Sequence, residues 1–156
     1  MHARRLRVLF LALLALIVTA PASLADEALW QRLRDGGVGV LMRHATAPGT
    51  GDPSNFTLGD CATQRNLDDT GRAEARATGD AFRANGVSEV AVRSSRWCRA
   101  TETAELLGLG EVVPEPALDS FFGNRGDAPQ QTAAMAARIA GLGGGETEIY
   151  VTHQVN

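Results

Sequence analysis

Short apolar runs alternate along the chain with segments of helical periodicity. The apolar runs span residues 38–42, 89–95, 111–118 and 147–153, and the helical segments span 26–34, 70–85, 96–108 and 130–142. Consecutive parallel strands need a crossover connection, which is usually a helix. The alternation therefore predicts an α/β fold, a three-layer α/β/α sandwich with a mainly parallel central sheet. The two prolines of the third run predict an edge strand or an irregular path.

Two of the helical segments carry a face that predicts burial. In the segment 70–85, Ala75, Gly79 and Phe82 recur at i, i+4 and i+7. The small residues of that face predict a helix that lies close to the sheet. In the segment 96–108 the corresponding apolar face begins with Trp97, which predicts that this side chain packs in the core.

The N-terminal 25 residues have the pattern of a secretory signal peptide. Arginines at positions 4, 5 and 7 precede an apolar stretch, and small residues lead to a cleavage site after Ala25. We expect an exported, periplasmic or secreted protein with one domain over residues 26–156 and no membrane span after cleavage. The alternative is an uncleaved anchor, for which the apolar stretch is short.

Charge and composition narrow the class of ligand. Removal of the three N-terminal arginines takes the formal charge from −3 to −6. A net-acidic domain without a basic stripe does not indicate nucleic-acid binding. All fifteen basic residues are arginines, whose planar forks suit oxyanions.

The two cysteines, Cys61 and Cys98, lie outside any Cys-x-x-Cys motif. In an oxidising compartment they form either a disulfide or two buried thiols. Only two histidines follow the signal peptide, so a zinc cluster is not indicated. We predict no metal and no other cofactor.

Charged and polar residues follow each predicted strand. Ligands of open parallel sheets bind beyond the carboxyl ends of the strands. The residues found there are Arg43 and His44, then Ser94, Ser95, Arg96 and Arg99, then Asp119, and finally His153. Arginine forks bind phosphate oxygens bidentately, and a neutral imidazole is a nucleophile. Neighbouring arginines should lower the pKa of His44 and keep it neutral. The pattern predicts transfer of a phosphoryl group to histidine.

Two quoted stretches, "LMRHATAP" and "RSSRWCRATETAELL", together resemble the histidine phosphatase superfamily, the phosphoglycerate-mutase-like phosphatases. "RNLDDTGRAEA" is similar to the family's segment that opens the helix after the first loop. The resemblance covers residues 38–156. It differs in Ala45, where the family has glycine. Members of the family normally continue with more helix and strand, so the domain is expected to be incomplete at Asn156.

The resemblance implies a role for several residues. His44 is the nucleophile that becomes phosphohistidine, and Arg43, Arg99 and His153 form the phosphate pocket. The family's proton donor corresponds best to Asp119, with Asp127 in reserve. Arg65 either contacts phosphate from the loop 45–69 or is solvated, and we expect Arg96 to be solvated.

The resulting hypothesis is an exported, metal-independent phosphatase that acts on phosphomonoesters. Its substrate is a small-molecule or lipid-linked phosphate, and the loop 45–69 shapes the specificity. A phosphomutase is one alternative. A non-catalytic module that binds a phosphate ligand or a lipid headgroup is another.

Overall fold

The computed structural model describes residues 24–156, with side chains from residue 27 onward. The predicted signal peptide, apart from its last two residues, lies outside the described residues. Within the described part of the chain, none of the helices combines the length and the apolar character that crossing a bilayer requires.

The described elements follow the predicted order of alternating helices and strands. They are α1 (Leu24–Asp35), β1 (Val38–Arg43), α2 (Asp69–Ala84), β2 (Ala91–Ser94), α3 (Cys98–Leu107), β3 (Val112–Pro114), α4 (Ala128–Ala140) and β4 (Thr147–Thr152). Asp68 begins α2, since its side chain accepts a hydrogen bond from the backbone N–H of Gly71. Gly108, in the left-handed conformation, ends α3.

The four strands form one parallel sheet in the order β1-β4-β2-β3. Strand β4 therefore lies between β1 and β2, with Arg43 opposite Thr152 and Val92 opposite Ile149. The proline-containing β3 is an edge strand, as predicted. All four strands end at the same side of the molecule.

Helices cover both faces of the sheet. On one face, Ile149 and Val151 of β4 pack with Phe82 of α2 and Leu107 of α3, and Trp30 of α1 joins this cluster. On the other face, a smaller cluster is formed by Leu118, Met135 of α4 and Tyr150. The predicted three-layer α/β/α sandwich is confirmed.

Three local predictions need correction. Residues 116–118, predicted as part of the third strand, form a 3₁₀ turn. The buried face of α2 is as predicted, but its small residue Gly79 approaches α3 instead of the sheet: a Cβ there would lie 2.0 Å from the Leu107 carbonyl oxygen. Trp97 precedes α3 and is only partly buried, so its predicted place in the core is wrong.

Candidate active site

The carboxyl ends of β1, β4 and β2 bring distant residues of the sequence together. Backbone hydrogen bonds continue one residue past the strands, from His44 to the Thr152 carbonyl and from Ser95 to the Val151 carbonyl, both at 2.9 Å. His44 and Ser95 are thus held by the sheet itself, and His153 directly follows β4.

His44 presents Nε2 to the cleft, where its lone pair accepts a hydrogen bond from Arg99 Nε. Its Nδ1 lies 2.7 Å from the Ala45 carbonyl oxygen. A carbonyl oxygen only accepts hydrogen bonds, so Nδ1 carries the proton and Nε2 keeps its lone pair. The backbone N–H of Ala45 donates in turn to Thr103 of α3 at 3.0 Å. These contacts orient the ring and set its tautomer.

The surroundings of His44 keep its ring neutral. Burial is the main cause that lowers the pKa of His44, to about 4, and the positive charges of Arg99, Arg43 and Arg65 lower it further. The hydrogen bond to the Ala45 carbonyl opposes this shift. The predicted direction is confirmed, although burial contributes more than the arginines that motivated the prediction.

Arg99 lies beside the nucleophilic nitrogen of His44. Its Nε is 3.3 Å from His44 Nε2, and its two terminal nitrogens donate to the carboxylate of Asp52 at 2.7 and 3.2 Å. The residue is 4% exposed. A phosphoryl group on His44 would therefore lie within reach of the guanidinium, where it would compete with Asp52.

His153 closes the site from the end of β4. Its ring lies edge-on to that of His44, with 5.4 Å between the ring centroids. Its Nε2 is 2.8 Å from the Ser95 hydroxyl. Burial, followed by the charge of Arg99, lowers the pKa of His153 to about 3, so it is a neutral hydrogen-bonding group.

We call Arg43, His44, Arg99 and His153 the anion floor. Arg43 is exposed and forms no ion pair with another residue of the described range 24–156. Arg99 is the cation that points along the floor from α3. Two arginine cations and two neutral imidazoles in one depression are the kinds of group that bind tetrahedral oxyanions in proteins.

The cleft above the anion floor has a volume of about 700 Å³ and is bounded by two loops. One is the long loop 45–69, from which Asp52, Phe56 and Arg65 line the cleft together with Trp97. We call these four residues the loop wall. The other loop, at 120–127, contributes Phe122 and Asp127 among others.

Arg65 belongs to the loop wall through contacts with backbone carbonyls. Its Nε donates to Gly51 at 2.9 Å, and a terminal nitrogen donates to Ala47. Its own backbone N–H donates to Asp52 at 3.0 Å. Arg65 is therefore held by the loop, and it lines the cleft near the predicted phosphate position.

A disulfide joins Cys61 of the long loop to Cys98, the first residue of α3, with 5.7 Å between the Cα atoms. The backbone N–H of Cys98 also donates to the Gln64 side chain at 2.9 Å. These two contacts attach the loop next to Arg99. The loop wall is thereby tied to the same helix that supplies a cation to the anion floor.

The predicted proton donor Asp119 does not line the cleft. Its carboxylate accepts hydrogen bonds from the backbone and side chain of Arg96 and from Ser95. Arg96, predicted to be solvated, is thus the ion-pair partner of Asp119. Because the Ser95 hydroxyl also contacts His153, the Asp119 carboxylate helps to hold His153 in place through Ser95.

The carboxylates that do line the cleft among the described residues are Asp52 and Asp127. Burial alone would raise the pKa of Asp52, but hydrogen bonds from Arg99, Arg65 and Trp97 lower it below its usual value. Asp127, the reserve candidate, is exposed and accepts a hydrogen bond from Asn124 at 3.0 Å. Within residues 24–156 no group of three or more His, Cys, Asp or Glu side chains is arranged to hold a metal ion.

Sequence reasoning missed Asp52, Phe56 and Phe122 as cleft residues. Asp52 stands in "GTGDPS", where an acid reads as an ordinary turn residue. The signal that was available is the length of the loop 45–69, because long loops in compact domains are often functional.

The ordered set of floor residues agrees with a comparison against protein-family models. Residues 40–124, more than half of the chain, match the model described as histidine phosphatase superfamily (branch 1). The chain belongs to this superfamily. The matched histidine phosphatase region contains most of β1, the long loop, α2, β2, α3 and β3, and with them Arg43, His44 and Arg99. A comparison with curated proteins gives no match.

Three solved structures are similar to this chain, and the first of them supports the fold by its TM-score. The putative phosphohistidine phosphatase SixA from Agrobacterium tumefaciens has a TM-score of 0.53 and 18% identity, covering 78% of this chain and 70% of that one. The protein histidine phosphatase SixA complexed with tungstate has a TM-score of 0.49 and 21% identity, covering 74% of this chain and 69% of that one. A putative phosphohistidine phosphatase SixA from Nakamurella multipartitia has a TM-score of 0.48 and 25% identity, covering 74% of this chain and 58% of that one.

Proposed function

We propose that the protein is an exported, metal-independent phosphatase that hydrolyses phosphomonoesters through a phosphohistidine on His44. The observation that carries the proposal is the position of Arg99 Nε, 3.3 Å from the Nε2 of a histidine whose other nitrogen is bound to a carbonyl. A nucleophile and a cation for the developing charge stand side by side. Membership of the histidine phosphatase superfamily supports this reading.

The first chemical step forms a bond between His44 Nε2 and phosphorus and breaks the bond from phosphorus to the ester oxygen. The oxygen leaves with the electron pair and takes a proton from an acid in the cleft. Arg43 and Arg99 neutralise the charge on the phosphoryl oxygens, which is the main contribution to catalysis of this kind. Water then attacks phosphorus and gives a proton to the conjugate base of that acid, and the phosphorus–nitrogen bond breaks to release phosphate and neutral His44.

The acid that protonates the leaving oxygen is better sought at Asp127 than at Asp119. Asp127 lines the cleft, whereas the Asp119 carboxylate is bound to Arg96 and Ser95. General acid assistance is worth roughly 10²–10⁴ in rate. It matters most when the leaving oxygen is a poor leaving group, as in an alkyl phosphate.

Two features support export. The N-terminal pattern of arginines, an apolar stretch and small residues is typical of a signal peptide. The disulfide between Cys61 and Cys98 is of the kind that persists in an oxidising compartment. We therefore propose a periplasmic or secreted site of action.

The decisive experiment compares wild type and His44→Ala on 4-nitrophenyl phosphate in excess chelator. We expect the wild type to release phosphate and the variant to lose at least about 10³-fold in kcat/KM, because the nucleophile is gone. A Leu58→Ala variant, which changes an exposed residue of the long loop outside the cleft, is the control and should retain activity.

The alternatives give different results in the same assay. Turnover that survives in His44→Ala rules out the phosphohistidine mechanism, and loss of wild-type activity with chelator rules out metal independence. Phosphate binding without turnover would indicate a binding module. Transfer of the phosphoryl group to another hydroxyl of the substrate would indicate a phosphomutase. Mass spectrometry of acid-labile phosphate on His44 identifies the intermediate directly.

A further inference from the structure

A row of aromatic rings leads away from the nucleophile along the cleft. The ring of His44 lies 5.4 Å from that of His153, which lies 5.5 Å from Trp97, both at steep angles. Trp97 is in turn stacked on Phe56, with 5.2 Å between centroids and 19° between planes. The surface next to the phosphoryl site is therefore built from flat faces and ring edges.

Trp97 is fixed by contacts in three directions. It stacks on Phe56, meets the edge of His153, and donates its indole N–H to Asp52 at 3.1 Å. The same Asp52 carboxylate holds Arg99. The aromatic surface is thus rigidly connected to the anion floor, and a rigid surface loses little conformational entropy when a ligand binds.

Phe122 lines the same cleft from the other loop and is 62% exposed. The large apolar side chains that are exposed in the described part of the chain are Leu29, Leu41, Leu58, Val113 and Phe122. Among these, Phe122 alone lines the cleft. An exposed aromatic ring beside a binding site is a common mark of a ligand contact.

The cleft has room for far more than a phosphate ion. Its volume of about 700 Å³ lies in the range of pockets that enclose a drug-sized molecule. The space beyond the anion floor is lined by Phe56, Trp97 and Phe122 together with polar groups, so an organic group is expected there.

We propose that the organic group of the substrate is a planar ring system that stacks on the Phe56–Trp97 pair and contacts Phe122. This inference rests on the proposed phosphatase function and adds the chemical class of the leaving group. The substrate is then an aryl, heteroaryl or ring-bearing phosphomonoester, in preference to a sugar phosphate or a lipid phosphate.

Non-hydrolysable phosphonates test the proposal by calorimetric titration of the full chain. We compare 1-naphthylmethylphosphonate with its saturated decahydro counterpart, which has the same charge and skeleton but no flat ring. Stacking on aromatic side chains predicts that the aromatic ligand binds about two- to tenfold more tightly. Inorganic phosphate serves as the ligand that contacts only the anion floor.

Matched variants identify the residues responsible. Phe56→Leu and Phe122→Leu keep an apolar side chain but remove the ring, so each should bring the affinity ratio of the two phosphonates towards one. Phe121→Leu changes the neighbouring phenylalanine, which does not line the cleft, and should leave the ratio unchanged. If the stack has only a structural role, the variants should bind every ligand more weakly, phosphate included, without a change in the affinity ratio.

The outcomes separate this inference from the proposed function. Equal affinity for the two phosphonates, or a ratio that both ring variants leave unchanged, overturns the planar-ring inference even if the enzyme is an active phosphatase. Tighter binding of octylphosphonate than of the naphthyl ligand overturns it in favour of a lipid substrate. Ring preference without any hydrolysis upholds the inference and overturns the proposed function. No binding of any phosphonate overturns both.

Discussion

The anion floor and the loop wall surround the same cleft but are held in different ways. Arg43, His44 and His153 of the floor lie at strand ends, where a backbone hydrogen bond of 2.9 Å ties His44 to β4, and Arg99 lies on α3. Wall residues belong mainly to the long loop, where side chains and one disulfide maintain the structure. In the proposed phosphatase, the reacting groups would therefore lie at the sheet and α3, and selectivity would lie on a surface that can change without disturbing the sheet.

Asp52 is where the two regions meet. It binds Arg99 of the floor and Trp97 of the wall with the same carboxylate. A phosphoryl group that takes the fork of Arg99 must share or displace this carboxylate. Substrate binding at the anion floor is thus expected to change the contacts of the loop wall. The following variants test how far the two regions act independently.

The largest effect is expected from Arg99→Lys. Lysine keeps the positive charge but loses the fork that holds two oxygens, so kcat/KM should fall by about 10²–10³. The fall should be the same for aryl and alkyl phosphates, because both present the same phosphoryl group to the floor. Steady-state kinetics on both substrates measures it. Arg76→Lys, an exposed residue of α2, is the control. A fall confined to one substrate class would contradict the division between floor and wall.

A smaller and more selective effect is expected when the disulfide is replaced in Cys61→Ala/Cys98→Ala. The loop it closes has a sequence separation of 37 residues, and such a crosslink is worth about 2–4 kcal/mol of folding stability. The unfolding midpoint in denaturant should fall accordingly, and the preference for aryl over alkyl phosphates should shrink while alkyl turnover changes by less than about threefold. Reduction of the wild type should reproduce the variant. Equal loss on both substrates would mean that the disulfide supports the floor as well.

The smallest expected effect is on the pH dependence of kcat/KM, which should hardly fall between pH 7 and pH 5. With a pKa of about 4, His44 stays neutral and nucleophilic until the pH falls below that value. After correction for substrate ionisation, kcat/KM at pH 5 should remain within about twofold of its value at pH 7. A histidine with an ordinary pKa of about 6.5 would lose roughly 25-fold in its neutral fraction between pH 7 and pH 5.

The same shifts give a stability test with a definite sign. The unfolded chain binds protons at His44 and His153 below about pH 6.5, whereas the folded protein does so only near pH 4 and pH 3. Stability contributed by the two neutral rings is therefore complete above about pH 6.5 and decreases as the pH falls through this window. Thermal unfolding measured from pH 7 to pH 4 should show the decrease. A flat profile would contradict burial of the rings.

The anion floor could be predicted from the sequence because the order of strands and helices places its residues. Alternating strands and helices imply parallel strands, parallel strands end together, and polar residues at those ends must meet. Arg43, His44, Arg99 and His153 all follow from that argument, whereas the edge position of β3 was predicted from its prolines. Strand pairing places Arg43, His44 and His153, and the helix that follows β2 places Arg99.

The loop wall could not be predicted in the same way. Helical periodicity placed Trp97 in the core, but α3 begins one residue later, and the indole turns to Asp52 and Phe56 instead. Asp119 stands after the third strand, as the predicted donor should, yet Arg96 lies close enough to bind it. Contacts between side chains of separate loops carry no periodic signal, so only coordinates reveal them.

The order of the sheet has a consequence for how this polypeptide is made. Among the described residues β1 pairs with β4 alone, so the earliest strand waits for residues 147–152 before it acquires a neighbour. During synthesis the nascent chain therefore cannot close its sheet, and pairing between such distant segments is slow in any case. If the chain is exported, as proposed, it would reach the translocation channel still unfolded, and its sheet would assemble after transport.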